Sequence, residues 1–163
     1  MSPWPLENLA PILVLVMAFC EAIVLIGLFV PLTPLLLALG GGIAAGAFAP
    51  EILVWAVLGA FLGNLASYCL GQRLKAKKRG LPRLPSRVVE RVELLFERHG
   101  AAAIVLSRYL GPPATIAPFL AGWSGLSWTR FLLANLVASL TWPPAMALIG
   151  YAATLGWRWA PIG

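Results

Sequence analysis

The chain has 163 residues, 60% of them hydrophobic and only 11% charged, with a net charge of +6 and a mean hydropathy of +0.87. A soluble domain is about 45–50% apolar and about 25% charged, and a domain of this size buries only part of its chain, so lipid must be part of its solvent. Intrinsic disorder, a disulfide-stapled secreted domain and a nucleic-acid-binding module are thereby excluded as readings of the whole chain.

In chain order, Met1–Leu9 holds no Lys or Arg and carries Glu7, which argues against a signal peptide. Residues 8–50 contain one charge, Glu21, and form too long a run for one span. Pro31 and Pro34 remove backbone donors and interrupt helices, and Gly40-Gly41-Gly42 breaks the chain again. The expectation is a helix over Pro11–Leu28 and then a re-entrant hairpin of two half-length helices over Phe29–Phe48. Ile52–Gln72 is uncharged and of the length that crosses the hydrocarbon core. Together these elements make a first repeat over 8–72.

Nine of the twelve basic residues fall between Arg73 and Arg98. Between apolar spans, such a block marks residues 73–85 as a cytoplasmic loop, with anionic lipid headgroups as its natural contacts. Ser86 as N-cap and Gly100 as C′ residue bound a helix over 86–99. Val88, Val89, Val92, Leu95 and Phe96 share one of its faces, and Leu94 falls outside the pattern. An amphipathic helix lying in the interface fits, as does a helix packed on another subunit. Residues 100–128 carry Pro112, Pro113 and Pro118 among glycines and read as a second re-entrant hairpin; Phe131–Tyr151 reads as the final span. Trp4, Trp123, Trp128, Trp157 and Trp159 near span ends suit interface anchors.

Two broken segments at membrane depth survive only where protein covers them or water reaches them, so a polar cavity is expected. The segment Pro31–Gly40 is similar to Pro113–Gly122, and each is followed by a span with Asn and Ser: Asn64 and Ser67, then Asn135 and Ser139. Inverted repeats with discontinuous helices characterise secondary transporters; chance likeness in a Leu/Ala/Pro/Gly-rich chain is the competing account. The overall expectation is an all-α polytopic membrane protein, one membrane domain with two re-entrant hairpins in an inverted repeat.

Glu21 inside an apolar helix is costly unless paired, neutral or watered, which suits either a functional carboxylate or a structural partner for Arg108 or a helix N-terminus. Arg108 opens the second broken segment and can grip a phosphate with its forked donors or snorkel to the interface. Gly59 and Gly63 suit close helix packing. Asn64 and Tyr68 share a helical face, where they either line the cavity or make interhelical hydrogen bonds. Cys20 and Cys69 lie in apolar stretches, and His99 is the only histidine, so no Cys/His metal site and no cofactor is expected. Without a Ser/His/Asp set, a phosphate-binding glycine loop or a carboxylate pair, an enzyme is not expected.

These residues resemble the DedA membrane proteins, the SNARE-associated or VTT-domain group. The family's Glu ahead of a Pro-Gly-acid hairpin tip is matched by Glu21 and Pro31-Leu32-Thr33-Pro34. Its Gly-x-x-x-Gly-Asp with a following Tyr and Gly is matched by Gly59 through Gly63-Asn64, Tyr68 and Gly71. Its Arg-aromatic-x-Pro-x-x-Arg block, followed by Pro and Ala-Gly, appears as Arg108-Tyr109-Leu110-Gly111-Pro112-Pro113-Ala114, then Pro118 and Ala121-Gly122. Ser127, Arg130-Phe131 and Trp142 complete the likeness, over about residues 15–155. Thr33, Asn64 and Ala114 stand where the family has an acid, an Asp and a second Arg.

The resemblance implies two re-entrant hairpins with flanking helices, and movement of phospholipids or polyprenyl-phosphate carriers between leaflets. It implies candidate site residues Glu21, Thr33, Asn64, Tyr68, Arg108, Tyr109 and Thr115. Expected partners are membrane lipids, including a lipid-linked phosphate, and a homo-oligomer or membrane-protein partner; nucleic acid is not among them. The expected location is the cell (inner) membrane, multi-pass, with 73–98 cytoplasmic. The alternative is a non-transporting structural subunit of a larger membrane complex.

Overall fold

The computed structural model describes residues 6–23, 32–77, 84, 86–111 and 113–159. Pro31, Pro112, Trp4, the basic residues Lys78, Arg79 and Arg83, and the side chain of Trp159 lie outside the described residues. Among the described residues the fold is all-helical: α1 Leu6–Ala22, α2 Leu32–Ala44, α3 Ile52–Ala76, α4 Ser86–His99, a 3₁₀ turn Gly100–Ala102, α5 Ala103–Ser107, α6 Pro113–Ser124 and α7 Trp128–Trp159.

Two of these helices, α3 and α7, are long and apolar enough to cross a membrane. Their outward faces are apolar: Val54, Leu58 and Leu62 on α3, and Leu133, Leu140 and Leu148 on α7, are exposed. Both exceed the spans read from the sequence. Arg73 and Lys75 extend the last turn of α3, where cations complement the helix C-terminus, and Pro143 and Pro144 lie inside α7 rather than ending it.

One expected break is corrected. The glycine triplet Gly40-Gly41-Gly42 lies inside α2, which is one helix to Ala44; hence the pair of half-length helices expected over Phe29–Phe48 is absent from the described part of that range. The physical reason is packing. A Cβ on Gly40 would run into the carbonyl of Ala147 on α7, and one on Gly150 into the carbonyl of Leu37 on α2, so glycine brings the two backbones together at its usual helix-propensity cost. The first helix starts at Leu6 with Pro11 inside it and runs to Ala22; its expected end at Leu28 lies outside the described residues.

The same close approach recurs across α3 and α6, where Gly71 faces the Phe119 carbonyl and Gly122 the Tyr68 carbonyl. Gly59 and Gly63 meet the carbonyls of Leu15 and Phe19 on α1. In the second broken region, α5 is a single short turn, Gly111 takes a positive φ of 75°, and α6 starts on Pro113, a position whose missing N–H costs nothing. The α4 helix lays Val88, Val89, Val92 and Phe96 against a cluster with Ile116, Phe119 and Leu120 of α6, while Leu94 points outward, 50% exposed.

Candidate functional site

The buried polar groups gather where α1, α3 and α7 meet the segment after α5. Glu21, on the last turn of α1, is 8% exposed, and Arg108, directly after α5, is 2% exposed. The two charges lie close enough to act on each other electrostatically. The Arg108 guanidinium sits 5.1 Å from the centroid of the Trp142 ring, a cation–π arrangement. Among the described residues, none of its three nitrogens has a hydrogen-bond partner, nor does one carboxylate oxygen of Glu21.

Beneath this pair runs a polar seam between the two long helices. Asn64 Nδ2 donates to Asn135 Oδ1 at 2.7 Å, Asn135 Nδ2 to the Phe61 carbonyl at 3.1 Å, and Ser139 Oγ to Asn135 Oδ1 at 3.4 Å. Ser67 Oγ donates to the carbonyl of Ala22 at 2.8 Å, next to Glu21. Asn64 and Asn135 are both fully buried, and the hydrogen bond between them offsets part of the cost of polar atoms in an apolar medium, while Asn64 Oδ1 has no partner among the described residues.

Tyr68 is separate from that seam. Its hydroxyl donates to the Leu126 carbonyl and accepts from Gln72 Nε2 at 2.9 Å. Its ring stacks on Phe131 with centroids 4.0 Å apart. With its hydroxyl engaged and its ring covered, Tyr68 ties the turn before α7 to α3. Thr115 is buried on α6, whereas Thr33 at the start of α2 and Tyr109 beside Arg108 are exposed. Of the seven sequence candidates, the fold thus brings Glu21 and Arg108 near each other and sets Asn64 in the seam below.

Trp142 and Asn135 belong to this centre, though neither stood among the candidate residues. The available signal was position: unlike Trp128 and Trp157, Trp142 falls in the middle of an apolar run, away from an interface.

A model of the VTT domain matches residues 30–152. The chain is 29% identical over 147 residues to the inner membrane protein YabI of Escherichia coli (strain K12), a match covering 86% of this chain and 56% of that protein. It is 32% identical over 140 residues to the inner membrane protein YqjA of the same strain, covering 83% and 64% respectively. To the inner membrane protein YghB, also of that strain, it is 35% identical over 132 residues, covering 78% and 60%. The chain therefore spans about three fifths of the length of these curated relatives. No solved structure matches it. With a family model covering most of its length, and with Glu21, the Gly59–Asn64 stretch and the Arg108 block in order along it, the chain belongs to the VTT-domain (DedA) family.

Proposed function

We propose that this chain moves a lipid or a lipid-linked phosphate between the leaflets of the cell inner membrane, with Arg108 as the group that receives the phosphate. The observation that carries the reading is the Arg108 guanidinium, 2% exposed and without a hydrogen-bond acceptor among the described residues. A buried cation at membrane depth is retained at a cost. Its planar fork matches a phosphate bidentately, and the Trp142 ring, 5.1 Å away, attracts the cation without accepting a conventional hydrogen bond from it. Glu21 nearby offsets the charge between binding events.

The reading extends to architecture: an inverted repeat in which each half pairs a short helix, α2 or α6, with a long one, α3 or α7, and residues 73–85 are cytoplasmic. The reciprocal glycine contacts support it. Gly40 and Leu37 of α2 lie 82 residues before Gly122 and Phe119 of α6, and Tyr68 and Gly71 of α3 lie 79 before Ala147 and Gly150 of α7. Each half thus offers its short helix to the long helix of the other half through the same pair of contacts. The inner-membrane location rests on the relatives' names.

The test is reconstitution of the purified chain in vesicles carrying a headgroup-labelled phospholipid, following exchange between leaflets. The wild-type chain should accelerate exchange and Arg108→Gln should abolish it while the folded protein persists in detergent. A wild-type chain that leaves exchange at the protein-free rate sinks the transporter reading and leaves the structural-subunit reading standing.

A further inference from the structure

A second lipid-facing feature lies outside the buried centre. On a helix of 3.6 residues per turn, the side chains of α4 sort into three stripes. Val88, Val92 and Phe96 form the packed face. Glu90, Glu93 and Glu97 fall on one flank of it, and Arg87, Arg91 and Arg98 on the other. The acidic flank faces away from α5 and the turn that follows; the basic flank borders a groove of about 390 Å³ lined by Arg91, Leu94, Leu95, Arg98, His99, Leu110 and Pro113. Leu94 and Leu110 are half exposed, at 50% and 52%. Among the described residues, no carboxylate pairs with Arg91 or Arg98.

We propose that this groove is a docking site for an anionic phospholipid, its phosphate held by Arg91 and Arg98 with His99 beside them, its upper acyl chains lying on Leu94, Leu95, Leu110 and Pro113. The charge complementarity is local. Mixed charges spread around a helix would cancel at this range, whereas here no carboxylate stands three or four residues from Arg91 or Arg98, and the acidic stripe lies beyond Leu94. The apolar floor separates a lipid from a free phosphate: two half-exposed leucines gain from covering by hydrocarbon and offer nothing to an inorganic anion. Leu110 lies two residues after Arg108, so the groove borders the turn that carries the buried guanidinium. The lipid's onward fate rests on the transporter reading; the docking itself does not.

Binding is measured apart from movement. The full chain, purified in a neutral detergent, is titrated with phosphatidylglycerol or, as control, phosphatidylcholine, and its thermal unfolding midpoint is followed, since a ligand that binds only the folded state raises it. Phosphatidylglycerol should raise the midpoint of the wild-type chain and phosphatidylcholine should not. Arg91→Gln with Arg98→Gln should weaken the phosphatidylglycerol response on the order of 10- to 30-fold in concentration, the loss of about two near-surface arginine contacts. Removing two equally basic charges at the end of α3, Arg73→Gln with Lys77→Gln, should leave it nearly unchanged. Leu94→Glu, at an exposed position, puts a carboxylate into the groove without disturbing packing and should reproduce the loss. If the two double variants weaken the response equally, or Leu94→Glu leaves it intact, the groove is not the site. A chain that binds in this way yet moves no lipid in vesicles defeats the transporter reading and leaves the docking site in place.

Discussion

Arg108 keeps its place through two unlike neighbours, a carboxylate and an indole. The indole attracts the cation without accepting a conventional hydrogen bond from it, so the guanidinium N–H donors stay available to a ligand. Trp142→Phe keeps a ring and should retain most translocation, whereas Trp142→Leu should lower it severalfold by leaving the guanidinium without a platform; equal rates in the two variants, measured in the vesicle exchange assay, would show that the ring is only filling space. The asparagine pair allows a sharper measurement. Asn64→Leu or Asn135→Leu alone leaves a buried amide without its partner, so the double variant should be less destabilised than the two singles together. The coupling should be about 0.6–1.7 kcal/mol, the range found for hydrogen bonds between membrane helices, read by unfolding in mixed micelles. Additive effects would mean that the 2.7 Å contact contributes nothing specific.

At the scale of elements, helix contacts here depend on the absence of side chains. Gly40→Ala and Gly122→Ala each drive a methyl into a facing carbonyl and should lower stability by about 1–3 kcal/mol, the usual cost of overpacking. Gly156→Ala, where an added Cβ meets nothing within 4 Å, should be neutral or slightly stabilising through helix propensity; thermal unfolding of the three variants gives the comparison. This chemistry also explains what the sequence could and could not convey. Length and uniform hydropathy made α3 and α7 legible. The segregated charges and valines made α4 legible between Ser86 and His99. Gly40-Gly41-Gly42 misled, because glycine is a breaker in water but a packing device where another helix presses against it, and only the partner helix distinguishes the two. The Asn and Ser of the two spans looked like repeat mates, yet in the glycine register Asn64 corresponds to Pro143. Asn64 and Asn135 meet because α3 and α7 cross, a tertiary fact with no local signature. Glu21 and Arg108 were findable as lone charges in apolar surroundings; Trp142 took its role from where the fold set Arg108.

For the whole molecule, the proposed orientation puts the basic block between the spans on the cytoplasmic side, and thiol access tests it. In a chain lacking Cys20 and Cys69, Lys77→Cys should resist an impermeant thiol reagent applied to intact cells, and Glu51→Cys, at the opposite end of α3, should react. Rapid labelling of position 77 from outside would invert the topology. The glycine contacts carry a consequence for how such a chain is made. The surface that α2 needs belongs to α7, which leaves the ribosome about a hundred residues later. Until then α2 must sit at the membrane with Gly40 unmatched, tolerated by lipid or guarded by the insertion machinery. Its assembly is thus a late, long-range event, of the kind whose closure slows folding. The arrival of α7 decides whether α2 survives quality control, so a chain terminated just before Trp128 should be inserted but rapidly degraded.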